Sequence, residues 1–371
     1  MTSRERLLGV LRGQKIDRVP ISTYELVGYD TTNFCNIEPS YQSLMDFIRE
    51  KTDCMAMWEP TSNANLCASA FPPPIQSKTY IQPNGREACR RLTIAGRTLS
   101  QTNRWLNGLN TTWNTESWCK DIEDIDAMMS LPYIPIEYDF ADFTRISTEI
   151  GDHGIVMSSI SDPAYIAMEL MEFGDAMVWA MTETEHFARV VEMLHTRVMT
   201  NLERMLNAGM VDLYRICGPE YMTPPLLPRW CFERFMVPYL KDMVDLIHSK
   251  GAKVRLHCHG KIGTLLDLIA KLGFDAMDPC EGPPDGDVEF AELKRRVGDG
   301  LTLFGNMQLK LLENGTEAEV RAETRRIVEA GKPGGRFIVM PTAGPINVPL
   351  AEQTQANYFA YIDEALSLGG Y

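Results

Sequence analysis

Two histidines stand two positions apart in the segment His257-Cys258-His259-Gly260. Residues i and i+2 of an extended chain point to the same side, so both imidazoles can reach one point. A carboxylate or thiolate from Glu281 or Cys280 would complete a three-ligand site with an open position, which is the arrangement of catalytic zinc. Asp278 is a candidate to orient the imidazole rings. The alternative is that both histidines hydrogen-bond substrate or neighbouring side chains without a metal.

Arg215 and Glu220 form a second group of candidate site residues. A guanidinium suits bidentate recognition of a carboxylate or phenolate, so Arg215 is predicted to bind substrate. Glu220 is predicted to be catalytic, as a proton donor, a proton acceptor or an additional metal ligand. The alternative for this pair is an interior salt bridge. Further candidates for substrate contact, for some of which core packing is the alternative, are Tyr24, Trp58, Tyr221, Trp230 and Asn306.

Short apolar runs alternate with long helical stretches along most of the chain, a pattern typical of parallel strands connected by helices. Eight such runs predict an α/β fold of the (β/α)8 TIM-barrel type, in which catalytic groups lie at the carboxyl ends of the strands. The candidate residues follow the later runs directly, which places them together. A doubly wound open sheet is the alternative, but no Gly-x-Gly-x-x-Gly turn follows any run. The runs are Val19–Ile21, Cys54–Trp58, His153–Ile160, Leu213–Cys217, Val254–His257, Ala276–Pro279, Leu301–Phe304 and Phe337–Met340.

Residues 75–118 have a different pattern from the rest of the chain. Two alternating segments flank Pro83-Asn84-Gly85, which is a strong turn signal, and two more strand-like pieces follow. We therefore expect an antiparallel β insertion over one end of the main sheet. No low-complexity linker divides the sequence, so residues 1–371 are predicted to form a single domain.

Charge and cysteine usage restrict the class of protein. A formal net charge of −14 disfavours nucleic acid and anionic membrane surfaces as partners. No signal-peptide-like apolar run and no stretch long enough to span a membrane is present. Nine cysteines without a Cys-x-x-Cys pair are expected to be reduced thiols, and the expected location is cytoplasmic.

Several motifs resemble those of the uroporphyrinogen-decarboxylase superfamily, whose fold is a (β/α)8 barrel. The resemblance covers nearly the whole chain and is more specific in its second half. The motifs are Met1-Thr2-Ser3-Arg4-Glu5-Arg6, Asp17-Arg18-Val19-Pro20, Gly218-Pro219-Glu220-Tyr221, Thr223-Pro224-Pro225, His257-Cys258-His259-Gly260, Pro284-Asp285-Gly286-Asp287, Gly305-Asn306-Met307-Gln308 and Gly334-Gly335-Arg336-Phe337.

The founding activity of that superfamily, decarboxylation of uroporphyrinogen, is disfavoured by one departure. True decarboxylases carry an Arg-Gln-Ala-Gly-Arg segment soon after the first strand, and its arginines bind the propionates of the substrate. The corresponding place here, Tyr24–Tyr29, contains no arginine. A cleft for a polyanionic tetrapyrrole without those cations would leave buried charge unpaired, at a large energetic cost.

The other branch that the resemblance implies moves methyl groups between small substrates and the cobalt of a corrinoid protein. Members that act in methanol or methylamine systems hold zinc with a His-x-Cys pair and a later cysteine. This chain has His257-x-His259 at the first place and Thr342-Ala343-Gly344 at the second. The departure leaves open a His/His/Glu zinc site, a His/His/Cys zinc site, or none.

We therefore predict a corrinoid-dependent methyltransferase with zinc as a Lewis acid, whose methyl donor is a small molecule such as an aryl methyl ether. Its partner would be a protein that carries cobalamin. His257, His259 and Glu281 or Cys280 would hold the metal, with His257 and Glu220 as catalytic residues. Two alternatives remain: a cofactor-free decarboxylase of a small carboxylic acid, and a non-catalytic barrel that binds a corrinoid protein or a small ligand.

Overall fold

The computed structural model describes all 371 residues. Seven of its strands belong to one parallel sheet, four to an antiparallel sheet and two to a short antiparallel pair. In chain order the strands are β1 (Cys54–Met57), β2 (Thr61–Ser62), β3 (Gln76–Gln82), β4 (Gly85–Ile94), β5 (Arg97–Leu106), β6 (Trp113–Glu116), β7 (Tyr138–Asp139), β8 (Gly154–Ser161), β9 (Leu213–Cys217), β10 (Lys253–His257), β11 (Ala276–Asp278), β12 (Thr302–Met307) and β13 (Phe337–Pro341).

Helices precede the parallel strands and connect them, as expected for an α/β fold. In chain order they are α1 (Ser3–Leu11), α2 (Phe34–Ile37), α3 (Gln42–Lys51), α4 (Ile122–Met129), α5 (Phe143–Ile150), α6 (Pro163–Met168), α7 (Phe173–Thr182), α8 (Thr184–Ala208), α9 (Arg229–Phe235), α10 (Val237–Ser249), α11 (Leu266–Leu272), α12 (Phe290–Val297), α13 (Leu309–Asn314), α14 (Glu317–Gly331) and α15 (Glu352–Leu368).

The parallel sheet has the order β1-β8-β9-β10-β11-β12-β13, so each strand lies beside the next one that belongs to this sheet. Seven of the eight predicted runs form these strands. The eighth, Val19–Ile21, is not a regular strand: Ile21 makes a single parallel bridge to Val339 of β13. The amide of Asp53, just before β1, donates to the Ile21 carbonyl at 2.8 Å. This segment therefore links the two edges of a curled, barrel-like sheet.

The inside of the curled sheet is filled by apolar side chains at its amino-terminal end. Met55, Met157 and Phe304 belong to this cluster, and Leu7 and Val10 of α1 pack against them from below. Because side chains alternate along a strand, residues two positions further along point into the same interior, nearer the carboxyl ends. The apolar layer is thus the floor on which the candidate site stands.

The predicted antiparallel insertion is confirmed as a four-stranded sheet, β3-β4-β5-β6. Leu92 and Leu99 are its buried contacts with the body of the protein. The loop between β5 and β6 reaches the segment after β13, where Asn110 donates to the Ile346 carbonyl at 2.7 Å. The insertion therefore contacts the main sheet at the end where the strands finish.

None of the fifteen helices combines the length and the apolar composition that a membrane span requires. All nine cysteines are free thiols in this structure.

Asp53 secures the junction between the N-terminal segment and β1. Its side chain is completely buried, and its oxygens lie 2.6 Å from Arg6 Nη1 and 2.7 Å from Arg18 Nη1. The same carboxylate accepts a hydrogen bond from the Ile21 amide at 2.9 Å. One buried charge thus fixes the segment that joins the two edges of the sheet.

We expect Asp53→Asn to lower the free energy of unfolding by about 3 kcal/mol, because it leaves two arginines without their shared carboxylate. Chemical denaturation followed by circular dichroism measures this loss. The matched control is Asp46→Asn, which removes an exposed pair with Arg49 and should cost less than about 1 kcal/mol. Equal effects of the two substitutions would contradict this role of Asp53.

Candidate active site

The centre of the candidate site is the completely buried carboxylate of Asp278, the last residue of β11. Its Oδ2 lies 2.8 Å from His257 Nδ1. Its Oδ1 lies 2.8 Å from Arg255 Nε, an ion pair whose angle falls outside hydrogen-bond geometry. Burial opposes ionisation of Asp278, but the charges of Arg255 and Arg215 and the hydrogen bond with His257 outweigh it and hold the pKa well below its usual range. Asp278 is therefore an anion.

The tautomer of His257 follows from the charge of Asp278. An ionised carboxylate can only accept, so the proton lies on His257 Nδ1, which donates to Asp278. Burial lowers the pKa of His257 against the pull of Asp278, so the ring is neutral near pH 7. Its Nε2 then carries a lone pair and has no partner within the protein. Asp278 orients this ring, as the sequence predicted.

His259 lies beside His257, with their ring centroids 4.7 Å apart in an edge-on arrangement. Its Nδ1 is 3.1 Å from Glu281 Oε1, and the other oxygen of Glu281 accepts from the Gly260 amide at 3.0 Å. Each histidine therefore turns one nitrogen to a carboxylate and leaves Nε2 free of protein partners. This carboxylate–imidazole pattern fixes ring orientation in many active sites.

The His259–Glu281 pair titrates differently from His257. Burial lowers the pKa of His259, but the hydrogen bond and charge of Glu281 outweigh it, so the pKa is raised. Burial likewise raises the pKa of Glu281, and the contact with His259 reverses that effect, so its pKa is lowered. The site thus holds a neutral imidazole next to one that more readily carries a proton.

Arg215 and Tyr24 face the histidines from another side. Arg215 is buried, and its Nη2 donates to the Tyr24 hydroxyl at 2.8 Å. Burial raises the pKa of Tyr24, so this hydroxyl keeps its proton. That proton has no acceptor within the protein, and the Tyr24 ring centroid lies 6.3 Å from that of His257. The Tyr24 hydroxyl, a hydrogen-bond donor held in place by Arg215, therefore lies opposite the lone pair of His257 Nε2.

The other predicted substrate contacts are placed less centrally. Glu220 Oε2 accepts from the Gly218 amide at 3.2 Å. The Tyr221 hydroxyl donates to Glu169 at 2.9 Å, and its ring packs on Tyr165 and Phe173. Asn306 is buried and donates to the Cys280 carbonyl at 2.9 Å. Of these three, Glu220 acts on His259 through its charge.

Sequence similarity identifies the family to which the chain belongs. A model of the uroporphyrinogen decarboxylase (URO-D) family matches residues 114–356, which is more than half of the chain. The chain belongs to the uroporphyrinogen decarboxylase family. All of the strands that carry the candidate residues, β9 to β13, lie inside the matched region.

Relatives within this family include proteins of two activities. Methylcobamide:CoM methyltransferase MtaA of Methanosarcina barkeri is 22% identical over 341 residues, covering 89% of this chain and 90% of that protein. Uroporphyrinogen decarboxylase of Dichelobacter nodosus is 21% identical over 359 residues, covering 92% and 94%. Sequence identity alone therefore does not separate the two activities.

A solved structure of a methyltransferase from Methanosarcina mazei superposes with a TM-score of 0.60 at 15% identity, covering 99% of both chains. At this identity the likeness shows that the fold is shared along the whole length. It agrees with the curled parallel α/β sheet expected for a uroporphyrinogen-decarboxylase-like protein.

The four predicted metal ligands do not come together as a preformed site in this family member. No group of three or more His, Cys, Asp and Glu side chains is arranged to hold a metal ion. Both oxygens of Glu281 face His259 and Gly260, and the buried thiol of Cys280 turns to the Met277 carbonyl at 3.5 Å. The two imidazole Nε2 atoms are the donors that remain available.

Three functional candidates were missed in the sequence. Arg255 lies two residues before His257 in β10 and so shares its face, which strand alternation alone could have shown. Ser159 pairs with Arg215 in the register of β8 and β9. Asp162 follows β8 in the sequence Ser-Asp-Pro, where it reads as an ordinary helix cap.

Replacement of Glu281 by glutamine should lower the pKa of His259, because burial would then act without the compensating carboxylate. The pKa of His257 should change little, since its partner is Asp278. Histidine titrations followed by nuclear magnetic resonance measure both values. A His259 pKa that stays raised in Glu281→Gln would show that another group holds its proton.

Proposed function

We propose that the protein transfers a methyl group from a small methylated substrate to the cobalt of a corrinoid carried by a partner protein. The full-length similarity to a methylcobamide methyltransferase supports this reaction class. The observation that carries the choice against uroporphyrinogen decarboxylation is the charge balance of the site. Of its two interior arginines, Arg255 is paired with Asp278, and Arg215, whose Nη2 donates to the neutral Tyr24 hydroxyl, forms no ion pair, so at most one cation is left for the carboxylates of a substrate.

A substrate with many carboxylates would find few cations at this site. Glu220 and Glu281 lie around the same opening as the two histidines. Bringing further anions there without cations would cost several kcal/mol for each unpaired charge. The site therefore favours a substrate that is neutral or carries a single polar group.

The Tyr24 hydroxyl is suited to the oxygen of a methyl ether. When a methyl group leaves, negative charge develops on that oxygen, and a fixed donor stabilises it. Tyr24 would donate to the oxygen, with Arg215 reinforcing the hydroxyl from behind at 2.8 Å. His257, which is neutral, would lie on the opposite side of the reacting methyl group, where its Nε2 has no proton to donate.

A cavity of about 370 Å³ is lined in part by Ser159 and Glu59, both of which neighbour Arg215, and it supports an aromatic methyl donor. Most of its walls are apolar, with Ile160, Leu202 and Met205 among them. Its wall also includes Ser159, whose hydroxyl is buried without a hydrogen-bond partner and which neighbours Arg215 in the sheet. Such a space fits a small substituted ring with a polar group at the inner end. We infer that an aryl methyl ether is the substrate class.

Zinc and a corrinoid are the groups this reaction class implies. The corrinoid of the partner would supply the reduced cobalt that accepts the methyl group. For zinc, the two imidazoles supply two donors, but Glu281 is held by His259 and Gly260, so the present residues do not fit a three-ligand zinc site. Zinc contents that are equal and negligible in wild type, His257→Ala and His259→Ala would remove the metal from the proposal.

Purified protein mixed with a methoxylated aromatic compound and a reduced corrinoid protein should show methylation of the corrinoid in its visible spectrum. Tyr24→Phe should lower the rate about 100-fold, the usual effect of removing one donor to a developing oxyanion. The matched control is Tyr29→Phe, whose hydroxyl contacts only the Arg49 carbonyl and whose loss should leave the rate within about twofold.

Two other outcomes would contradict the proposal. Release of carbon dioxide from a small carboxylic acid without any corrinoid protein would identify a cofactor-free decarboxylase. Saturable binding of a corrinoid protein with no methyl transfer under strongly reducing conditions would identify a non-catalytic binding protein.

A further inference from the structure

A buried carboxyl group that none of the steps above uses lies at the end of β8. Asp162 is 0% exposed and caps α6, where its Oδ1 accepts from the Tyr165 amide at 2.9 Å. Its Oδ2 is buried and has no hydrogen-bond partner. A cap uses one oxygen, so the second oxygen needs a separate explanation.

No cation compensates Asp162. The titratable groups that face it are Tyr165 from α6, Cys217 from β9, Glu220 from the turn after β9 and Cys258 after β10. None of the ion pairs in the protein includes Asp162. An ionised carboxylate buried without a partner is costly, so the group keeps its proton instead. Burial raises the pKa of Asp162 to about 8, and the charge of Glu220 acts in the same direction.

Gly218 brings Asp162 and Glu220 together. Its amide donates to Glu220 Oε2 at 3.2 Å, and a Cβ added at Gly218 would lie 2.2 Å from Asp162 Oδ2. The two carboxyl groups therefore lie against the same residue, Asp162 from inside the protein and the partly exposed Glu220 from the opening. Only glycine allows this contact, and its φ of +115° also requires glycine.

Glu220 is also coupled to the histidine segment. The Thr223 hydroxyl lies 2.8 Å from the Glu220 carbonyl and 3.4 Å from the His259 carbonyl. The negative charge of Glu220 helps to raise the pKa of His259. Asp162 thus lies behind Glu220, and Glu220 borders the site.

We propose that Asp162 is a buried proton reserve that acts through Glu220. This inference rests on the proposed methyl transfer from an ether. As the carbon–oxygen bond of the donor breaks and the methyl group passes to reduced cobalt, Asp162 gives its proton to the Glu220 carboxylate, and Glu220 passes that proton to the leaving oxygen. Asp162 is then reprotonated from solvent, and Glu220 ends as the carboxylate it was at the start. Asp162 touches no substrate, so it is a positioning residue.

The first test needs no substrate. Infrared spectra of the resting protein at pH 7 should contain a protonated carboxyl band that disappears in Asp162→Asn. The amide keeps the cap and resembles the neutral acid in shape, so this variant should fold. The matched control is Asp121→Asn, a cap of α4 whose carboxylate also contacts Arg97; it should leave the band unchanged. Identical spectra of wild type and Asp162→Asn would overturn the proposal.

The pH dependence of stability gives a second readout. A carboxyl whose pKa rises from 3.8 to about 8 on folding stabilises the protein at low pH, and that contribution is lost as the pH rises through this window. Wild type should therefore lose stability relative to Asp162→Asn between about pH 4 and pH 8. A constant difference across this window would contradict a protonated Asp162.

Methyl transfer provides the functional readout. Asp162→Asn should lower kcat about 10-fold to 100-fold with little change in KM, because proton supply and not binding is lost. The wild-type rate should decline above about pH 8, where Asp162 ionises, and this decline should be absent in the variant. An unchanged kcat and pH profile would overturn the reserve role. Loss of the infrared band without any methyl transfer would instead confirm the protonated Asp162 and refute the proposed function.

Discussion

The buried carboxylate of Asp278 is the interaction on which the site depends. A lone anion at this position would be prohibitively costly, so the fold surrounds it with Arg255, His257 and the charge of Arg215. The contact between Asp278 and His257 also sets the tautomer of the imidazole. It places the proton of His257 on Nδ1 and leaves Nε2 free. Removing Asp278 would therefore leave a buried arginine unpaired and a histidine without a fixed tautomer.

The register of the parallel strands brings the side chains of the site together. Arg215 pairs with Arg255, and His257 pairs with Asp278, across three neighbouring strands. Because side chains alternate in and out, these partners point into the same interior layer, directly above the apolar floor. The glycine after β9 then brings Glu220 and Asp162 to the edge of that layer. Position within each strand thus decides which side chains meet.

The strand pattern of the sequence was enough to predict seven parallel strands, the antiparallel insertion and the general place of the site. It also indicated Asp278 as the orienting group of His257. It did not predict that the thiol of Cys280 turns to Met277 or that Glu281 binds His259 and Gly260. Both residues follow the end of β11, where Cys280 has a φ of +57° and the alternation rule no longer holds. The eighth run, Val19–Ile21, makes too few backbone hydrogen bonds to form a strand. Its contacts near β1 are made with Asp53, partly with the side chain of that residue.

The protonation of His257 is the most direct test of this account, since the geometry of the whole site follows from it. Nitrogen-15 magnetic resonance of histidine-labelled protein distinguishes the two ring nitrogens near pH 7. We predict a neutral His257 with its proton on Nδ1, and loss of this single tautomer in Asp278→Asn. A protonated imidazolium, or a proton on Nε2 in the wild type, would contradict the account.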